Sequence, residues 1–398
     1  MSSITRPADA DHAAKLLESG DFDRCLVDWP DARYMPGYMY NSPEIFEREK
    51  RLLFLRDWLV VAREDQISNP GDYLTMDLNG ESIVICRDDR GTLAAFVNSC
   101  RHRGAPIATG QGNARTFQCP WHGWSYDLRG KLLSAHRPRQ MGNFDSKNCT
   151  MPPLQVDSFG GFIFINFDPA ADTLAAYLDV DDFREEVAFL RSEELMTVDT
   201  YSYEIDANWK MVMETLADVY HVEVVHKDTF GNRRTGYQPQ TTANVKLTKH
   251  GARKHYLAGT SSFGGEPLFG PMPWLKDHPA GKLMALSFYL RPNLAFFARC
   301  DMVQPWTAQP ITPTRTKIIG WTCMPKEFAD MPGYEVKVRM LAEYCHKQNM
   351  EDKALILALQ RGTTSAYFPQ GPLHELEALV HHRTRSYLRA MAGAGDAT

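Results

Sequence analysis

Two pairs of metal-binding side chains constrain this sequence more than any other feature. Cys100 and His102 are separated by one residue, Cys119 and His122 are separated by two, and sixteen residues lie between the pairs. Cysteine and histidine in two close pairs are typical of a shared metal site. Structural zinc sites favour pairs of like ligands, whereas each pair here is mixed. Mixed pairs suit a two-iron cluster with thiolates on one iron and imidazoles on the other. Buried thiols beside surface histidines are the remaining alternative.

A glycine-containing turn follows each pair, at Gly104 and Gly123. Glycine lets the backbone approach closely and offers N–H groups to cluster sulfurs. With these flanks, the segments 100–104 (CRHRG) and 119–124 (CPWHGW) resemble the Rieske [2Fe–2S] domain of ring-hydroxylating oxygenase large (α) subunits. The resemblance implies that the two cysteines and two histidines named above hold that cluster, and that a catalytic domain with a mononuclear Fe(II) follows.

A second candidate site lies in residues 208–226. His221 and His226 are five positions apart, which is about 140° around a regular α-helix. They could share a metal only if a helix ends or bulges between them, and the β-prone run 222–225 permits that. On its own the spacing also fits two unrelated histidines. Beside the Rieske pattern, Asp218-x2-His221-x4-His226 resembles the family's mononuclear iron motif, which implies a two-histidine, one-carboxylate site open to O2 and substrate.

The third ligand is expected far along the chain, at Asp352. This acid shares a predicted helical stripe with Leu355, Ile356 and Leu359. A carboxylate among apolar residues is costly unless a cation or a metal pairs with it. The Glu-Asp…Gln-x-Gly pattern over 351–362 is also similar to the family's third-ligand helix. The alternatives are an acid that interacts with the helix dipole and, as the fallback ligand, Glu351.

Asp218 precedes His221 by one predicted helical turn, where an ordinary solvated acid or a hydrogen bond to His221 would also fit. The resemblance implies that Asp218 bridges His221 to a Rieske histidine, here His122, of a neighbouring subunit. Electron transfer across that boundary implies a head-to-tail ring, a homotrimer or a multiple of one. The implied partners are an NAD(P)H-dependent reductase, in some members a ferredoxin, and in some a small β subunit.

Turn and helix signals divide the chain into three parts. Residues 1–56 are predicted to be an N-terminal arm and helix packed on the catalytic domain, with Ser42-Pro43 as the helix start. Residues 57–168 are predicted to be a small all-β Rieske domain, in which Asn79-Gly80 is a hairpin signal. Residues 169–398 are predicted to be the catalytic domain, an antiparallel sheet flanked by helices. The predicted fold class is therefore α+β.

Composition excludes several classes. Hydrophobic residues make up 43% and charged residues 23% of the chain, as in globular proteins. A net charge of −5 argues against a nucleic-acid partner. No apolar run approaches the roughly 18 residues of a membrane span, and the polar N-terminus does not resemble a signal peptide. The expected location is the cytoplasm, where eight cysteines are too few for a disulfide scaffold.

The substrate is the least constrained part of the prediction. Residues 230–306 are rich in aromatic side chains, most of them expected in the core and some in a pocket. Such a pocket suits an aromatic ring or the cage of a quaternary amine. Arg233, Arg234 and Arg253 are candidates to bind a carboxylate, and ordinary surface arginines are the alternative. We expect hydroxylation of an aromatic substrate such as an aromatic acid. The alternatives are oxidative removal of an N- or O-methyl group and, more distantly, an electron carrier or a zinc-binding protein without enzymatic activity.

The chain departs from the family pattern at one place. The family often carries Glu-Asn-Phe ahead of the bridging acid, whereas this chain has Glu214-Thr215-Leu216.

Overall fold

The computed structural model of the chain describes residues 22–179, 183–227, 229, 245–247, 251–256, 268–278 and 285–392. The chain divides into a small unit, Phe54–Leu174, and a large unit that combines Met1–Leu53 with Ala175–Thr398. The sequence also predicts a short helix near residues 13–19, which lies outside the described residues. Arg233 and Arg234 lie outside them as well, and of Arg253 only the backbone is described. No helix in the described ranges is long and apolar enough to span a membrane.

Three small antiparallel sheets form the small unit. Their strands are β1 (Leu59–Arg63), β2 (Asp72–Leu78), β3 (Glu81–Arg87), β4 (Leu93–Val97), β5 (Gln111–Asn113), β6 (Phe117–Gln118), β7 (Ser125–Tyr126), β8 (Leu132–Ser134), β9 (Gln155–Phe159) and β10 (Phe162–Asn166). The strand orders are β1-β10-β9, β4-β3-β2-β5 and β6-β7-β8. Asn79 and Gly80, with φ of 58° and 86°, join β2 to β3 in the predicted two-residue hairpin.

The core of the small unit surrounds the two candidate cluster cysteines. Cys100 and Cys119 are buried in one apolar cluster with Phe96, Phe117 and Tyr126. The rings of Phe96 and Phe117 meet edge to face, with centroids 5.9 Å apart. Packing of this kind fixes the side chains around the cysteines. The apolar core therefore holds the two cysteine side chains in place.

An antiparallel sheet with helices against it forms the large unit, so the predicted α+β class is confirmed. Its described strands are β11 (Leu195–Ile205), β12 (Val245–Leu247), β13 (Gly251–Tyr256), β14 (Ala285–Leu290), β15 (Leu294–Arg299), β16 (Val303–Thr312) and β17 (Arg315–Pro325), in the order β11-β17-β16-β15-β14-β13-β12. The described helices of the chain are α1 (Asp23–Leu26), α2 (Pro43–Glu49), α3 (Leu174–Asp179), α4 (Phe183–Val187), α5 (Trp209–Ala217), α6 (Val222–Val225), α7 (Tyr334–Thr363) and α8 (Ala378–Met391).

A buried ion pair anchors the start of α5. The Glu49 carboxylate, at the end of α2, accepts hydrogen bonds from Trp209 Nε1 at 2.8 Å, Lys210 Nζ at 2.5 Å and Tyr387 Oη at 2.6 Å. Glu49 and Lys210 are fully buried. Because a buried charge without a partner is costly, these bonds hold α2, α5 and α8 in one arrangement.

A side-chain amide joins α5 to α7. Asn208 caps α5, its side chain accepting from the backbone N–H of Lys210. The Asn208 backbone N–H donates to Gln360 Oε1 at 2.7 Å, and Gln360 Nε2 donates to Asn41 Oδ1 at 2.6 Å. Gln360 lies two turns beyond Asp352 on α7. The joint therefore fixes the register between Asp352 and the segment that follows α5.

Candidate functional site

The four candidate cluster ligands lie on two loops of the same local shape. In each loop the cysteine carbonyl accepts the N–H of the glycine four residues later, Gly104 to Cys100 at 2.8 Å and Gly123 to Cys119 at 3.0 Å. Both glycines have positive φ, 82° and 71°, a region that other residues rarely adopt. The cysteine N–H groups also donate to the carbonyl five residues later in both loops. The glycines seen in the sequence thus close two matching turns.

The two histidines of these loops meet at the surface of the small unit. His102 Nδ1 and His122 Nδ1 are 3.1 Å apart, and both side chains are exposed. His102 stacks on Trp124 with ring centroids 5.1 Å apart. Desolvation, His102 and Arg103 together lower the pKa of His122, which favours the neutral imidazole that a metal requires. The histidine pair is exposed, whereas the cysteine pair is buried.

The arrangement fits a two-iron cluster better than a single zinc ion. A tetrahedral zinc requires four ligand atoms around one point, at about 2.0–2.3 Å from it. Within the described part of the chain, the atoms of Cys100, His102, Cys119 and His122 do not form a group with mutual distances under 4.8 Å. A [2Fe–2S] cluster places thiolates and imidazoles on different irons, so the two pairs stand apart. Tyr126 Oη, 3.3 Å from Cys100 Sγ, adds a polar partner for a thiolate.

The chain breaks out of helical geometry at Asp218. Helix α5 ends at Ala217, and Asp218 is extended, with φ −82° and ψ 117°. Asp218 Oδ1 accepts the backbone N–H groups of Tyr220 at 2.7 Å and His221 at 3.3 Å. The prediction that one turn of helix separates Asp218 from His221 is therefore wrong, because the acid caps a turn between two helices.

His221 and His226 flank the short helix α6. The β-prone run between them is helical, and the helix ends before His226, which has φ −96° and ψ 27°. Their ring centroids are 5.3 Å apart. The requirement that the helix end between the two histidines is thus met at Val225. One turn of helix brings both imidazoles to the same side.

Asp352 completes a convergent triad. The nitrogens and carboxylate oxygens of His221, His226 and Asp352 lie within 4.8 Å of one another. Asp352 Oδ1 is 2.9 Å from His226 Nε2 and 3.5 Å from His221 Nε2, yet this buried oxygen makes no hydrogen bond. Three ligand atoms that lie this close together fit a metal of about 2.0–2.2 Å bond length. The predicted apolar stripe ends at Ile356, because Leu359 is 48% exposed.

Electrostatics in the triad favours a cation. Burial lowers the pKa of His221, but its contacts with Asp218 and Asp352 outweigh burial and raise the pKa to about 9. His226 follows the same pattern, and its pKa is raised by Asp352 and Glu351 against the effect of burial. Burial raises the pKa of Asp352, but the two histidines lower it overall. The raised pKa values mean that the site favours positive charge, which protons on the imidazoles can supply. A bound divalent metal would supply the same charge instead.

Glu351 lies behind the triad and not in it. Its Oε2 atom is 2.8 Å from His226 Nδ1, the ring nitrogen that faces away from Asp352, and accepts a hydrogen bond from Thr229 Oγ1 at 2.7 Å. A carboxylate on the second nitrogen fixes the tautomer and orientation of a metal-bound histidine. On this geometry Asp352 is the better ligand candidate and Glu351 orients His226. The sequence alone predicts Glu351 only as a fallback ligand, so this orienting position is not expected from it.

A cavity of about 960 Å³, counted with its mouth, opens onto the triad. Aromatic side chains contribute to its wall: Tyr201, Tyr203, Phe297 and Trp306. Thr215 and Leu216 also line it, and the Thr215 hydroxyl donates to the Met211 carbonyl at 2.9 Å within α5. The place of the family's frequent asparagine is thus filled by a hydroxyl that is already bonded.

A glycine and an arginine shape this cavity in ways that sequence reasoning missed. Gly320 faces Tyr201 across β11 and β17, and a Cβ there would overlap the tyrosine ring. Arg299, fully buried at the end of β15, lines the cavity. The sequence does contain a signal for Arg299, because a charged residue ends the apolar run Leu294–Arg299. Arginine is almost never fully buried without a partner, so its place in such a run is unusual.

Two family models match the chain. Residues 57–147 match the Rieske [2Fe–2S] domain, and residues 192–393 match the ring-hydroxylating α subunit, catalytic domain. The candidate cluster ligands fall in the first range and the triad falls in the second.

Individual relatives differ in their reactions. The α subunit of 2-aminobenzenesulfonate 2,3-dioxygenase from Alcaligenes sp. is 31% identical over 72% of this chain and 73% of its own length. The carnitine monooxygenase oxygenase subunit of Acinetobacter pittii is 34% identical over 50% of this chain, and the match spans 54% of that subunit. A crystal structure of a quaternary ammonium Rieske monooxygenase with an inhibitor superposes with a TM-score of 0.77 at 23% identity, over 94% of this chain and 97% of that one. That structure supports the shared fold.

Proposed function

The chain belongs to the ring-hydroxylating oxygenase α-subunit family, with a Rieske [2Fe–2S] domain ahead of a non-heme iron catalytic domain. From that premise we propose that it is the oxygenase component of a system that uses O2 and NAD(P)H-derived electrons to hydroxylate a small aromatic substrate. The observation that carries the proposal is the convergence of His221, His226 and Asp352 on the wall of an aromatic-lined cavity.

The ligand assignment follows the geometry of the two sites. Cys100 and Cys119, which are buried, hold one iron of the cluster, and the exposed pair His102 and His122 holds the other. The triad would hold the mononuclear iron at the wall of the cavity, where a two-histidine, one-carboxylate site supplies O2 chemistry. When bound, the cluster supplies electrons one at a time and the mononuclear iron activates O2.

Asp218 is proposed to link the two kinds of site between subunits. Its Oδ2 atom is 3.2 Å from His221 Nδ1, and its side chain is 23% exposed, so part of the carboxylate remains accessible. An exposed imidazole such as His122 of a second copy could donate to that carboxylate. One acid would then orient two metal-bound rings at once. The proposed assembly is a head-to-tail homotrimer or a multiple of it, supplied by a reductase, through a ferredoxin or directly, and with or without a β subunit.

Oxidative demethylation is the second candidate function. The relationship to carnitine monooxygenase favours it, and Tyr201, Tyr203 and Trp306 could surround a methylated ammonium group. Ring hydroxylation is favoured by the longer match to the aminobenzenesulfonate enzyme, which covers 72% of this chain.

The discriminating experiment measures products, not oxygen consumption alone. The iron-loaded protein is combined with a reductase system, NADH and 18O2, and offered aromatic acids and methylated amines in parallel. Ring hydroxylation predicts labelled hydroxyl groups on the aromatic product, whereas demethylation predicts formaldehyde. Asp352→Ala serves as the inactive control, because it lacks one candidate ligand. Failure to oxygenate any substrate while the cluster is reduced and re-oxidised would contradict the proposed function.

A further inference from the structure

The sheet wall of the cavity contains a position without a side chain. Gly320 on β17 lies between two cavity-lining residues, because it pairs with Tyr201 of β11 on one side and with Trp306 of β16 on the other. Two residues away on β17, Ile318 contributes its side chain to the same wall. Side chains two residues apart on a strand point to the same face of the sheet. Gly320 therefore leaves a gap in a row of residues that line the cavity.

The Tyr201 ring occupies that gap. A Cβ at position 320 would fall within 2.6 Å of three atoms at the outer end of the Tyr201 side chain, whereas van der Waals contact requires about 3.5 Å. Directly opposed Cβ atoms of paired strands are about 4.5–5.5 Å apart, so a tyrosine that stood upright on its strand would not reach this point. The ring therefore leans across β17 and takes the volume of the missing side chain.

The outer end of Tyr201 also approaches the helix that carries Asp352. Burial and the neighbouring Tyr203 raise the pKa of the Tyr201 hydroxyl, and the Asn349 amide opposes that shift, so the hydroxyl lies beside α7. Asn349 precedes Asp352 by three residues, which makes the two side chains neighbours on the surface of that helix. Both of them line the cavity. Tyr201 thus extends from β11 to within one helical turn of a candidate iron ligand.

An alanine at position 320 would displace this ring. The φ angle of Gly320 lies outside the left-handed region, so other residues fit its backbone without strain. The three atoms nearest to a Cβ there all belong to Tyr201. Because the sheet lies beneath the ring, a ring that is pushed off β17 moves into the cavity that it lines. Extra volume of this kind is not absorbed freely in a packed wall.

We propose that Gly320 sets the size of substrate that the cavity accepts, because the absence of a side chain keeps Tyr201 against the sheet and away from the space beside the iron ligands. A larger residue at position 320 would push the ring into that space and exclude larger substrates first. This inference rests on the proposed function and adds to it a residue that determines specificity by positioning another.

Binding of two ring sizes without turnover tests the proposal. Calorimetry on the iron-loaded, anaerobic protein compares benzoate with 2-naphthoate, which share the carboxylate and differ by one fused ring. Gly320→Ala should raise the ratio of the Kd for 2-naphthoate to the Kd for benzoate by about 10- to 100-fold, since the lost space affects the larger ring more. Tyr201→Ala should lower that ratio. The double variant Gly320→Ala/Tyr201→Ala should match Tyr201→Ala, because no ring is left to displace.

Gly112→Ala is the matched control. Gly112 faces Tyr73 across β5 and β2, and a Cβ there would lie 3.2 Å from the tyrosine ring. This glycine and tyrosine form the same kind of cross-strand pair, but they belong to the small unit. The Kd ratio of Gly112→Ala should therefore equal that of the wild type.

The outcomes separate this inference from the proposed function. An unchanged ratio in Gly320→Ala would overturn the inference, as would a double variant that keeps the defect of Gly320→Ala. Equal ratios in Tyr201→Ala and wild type would also overturn it, and this comparison does not depend on the folding of Gly320→Ala.

The position of the Tyr201 ring gives a second readout that needs no ligand. A crystal structure of Gly320→Ala should show the ring shifted into the cavity by about 1 Å or more, the distance required to restore van der Waals contact. An unmoved ring would overturn the inference whether or not either probe binds. A shifted ring in a protein whose wild type binds neither probe and oxygenates no substrate would contradict the proposed function alone.

Discussion

Glu351 offers the sharpest test of the site geometry, because it neighbours the candidate ligand Asp352 in sequence and is assigned a different role. Its Oε2 atom accepts a hydrogen bond from Thr229 Oγ1 at 2.7 Å and lies 2.8 Å from His226 Nδ1. Loss of a carboxylate behind a metal-bound histidine typically weakens metal binding by about 10- to 100-fold. That range corresponds to about 1.4–2.7 kcal/mol. Glu351→Gln should fall at the lower end, since an amide oxygen can still accept both bonds. Glu351→Ala should fall at the upper end, since both donors lose their acceptor.

The assay is an anaerobic Fe(II) titration against a competing chelator, with the cluster spectrum followed in parallel. Glu343→Gln is the matched control, because this exposed acid lies on the same helix. Unchanged iron affinity in Glu351→Ala would refute the orienting role. Complete loss of the mononuclear iron in Glu351→Ala, combined with retention in Asp352→Ala, would show that Glu351 is the ligand.

Three further predictions follow from the same geometry. Asp352→Ala should lose the mononuclear iron and keep the cluster's visible spectrum, whereas Cys119→Ala should lose the cluster spectrum and keep the mononuclear iron. Retained mononuclear iron in Asp352→Ala would show that the third ligand is another residue. Asp218→Asn should keep both metal sites but slow re-oxidation of the pre-reduced cluster by O2 with substrate, because an amide N–H cannot accept an imidazole N–H; normal single-turnover re-oxidation would exclude that route. Lys210→Met should lower the free energy of unfolding by about 3–5 kcal/mol, because Glu49 is left buried without its cation; an unchanged denaturation midpoint would contradict this.

The sequence was most informative where structure is local. The Ser42-Pro43 helix start is confirmed, with Ser42 Oγ accepting the Ile45 N–H at 3.2 Å. The turns at Gly104 and Gly123 also follow from neighbouring residues alone, since each closes within five residues. Such features need no information about the rest of the chain.

Features set by tertiary packing were missed. The run 222–225 is β-prone, yet it forms one helical turn, because the Asp218 turn ahead of it and the contacts of His226 behind it decide the backbone. β13 was not foreseen, because Gly251–Tyr256 carries few of the alternating apolar residues typical of strands. The position of Arg299 in the cavity wall depends on a cavity that forms only when β15 packs near α7. Periodicity carries no signal of that kind.

Metal and sulfide analysis of the purified protein tests the central claim most directly. Anaerobic preparation with added Fe(II) should yield about three iron atoms and two acid-labile sulfides per chain, with a red-brown visible spectrum, because one [2Fe–2S] cluster and one mononuclear iron are bound. A colourless protein that contains stoichiometric zinc and no labile sulfide would contradict the assignment of Cys100, His102, Cys119 and His122 to a Rieske cluster, and with it the electron route to the triad.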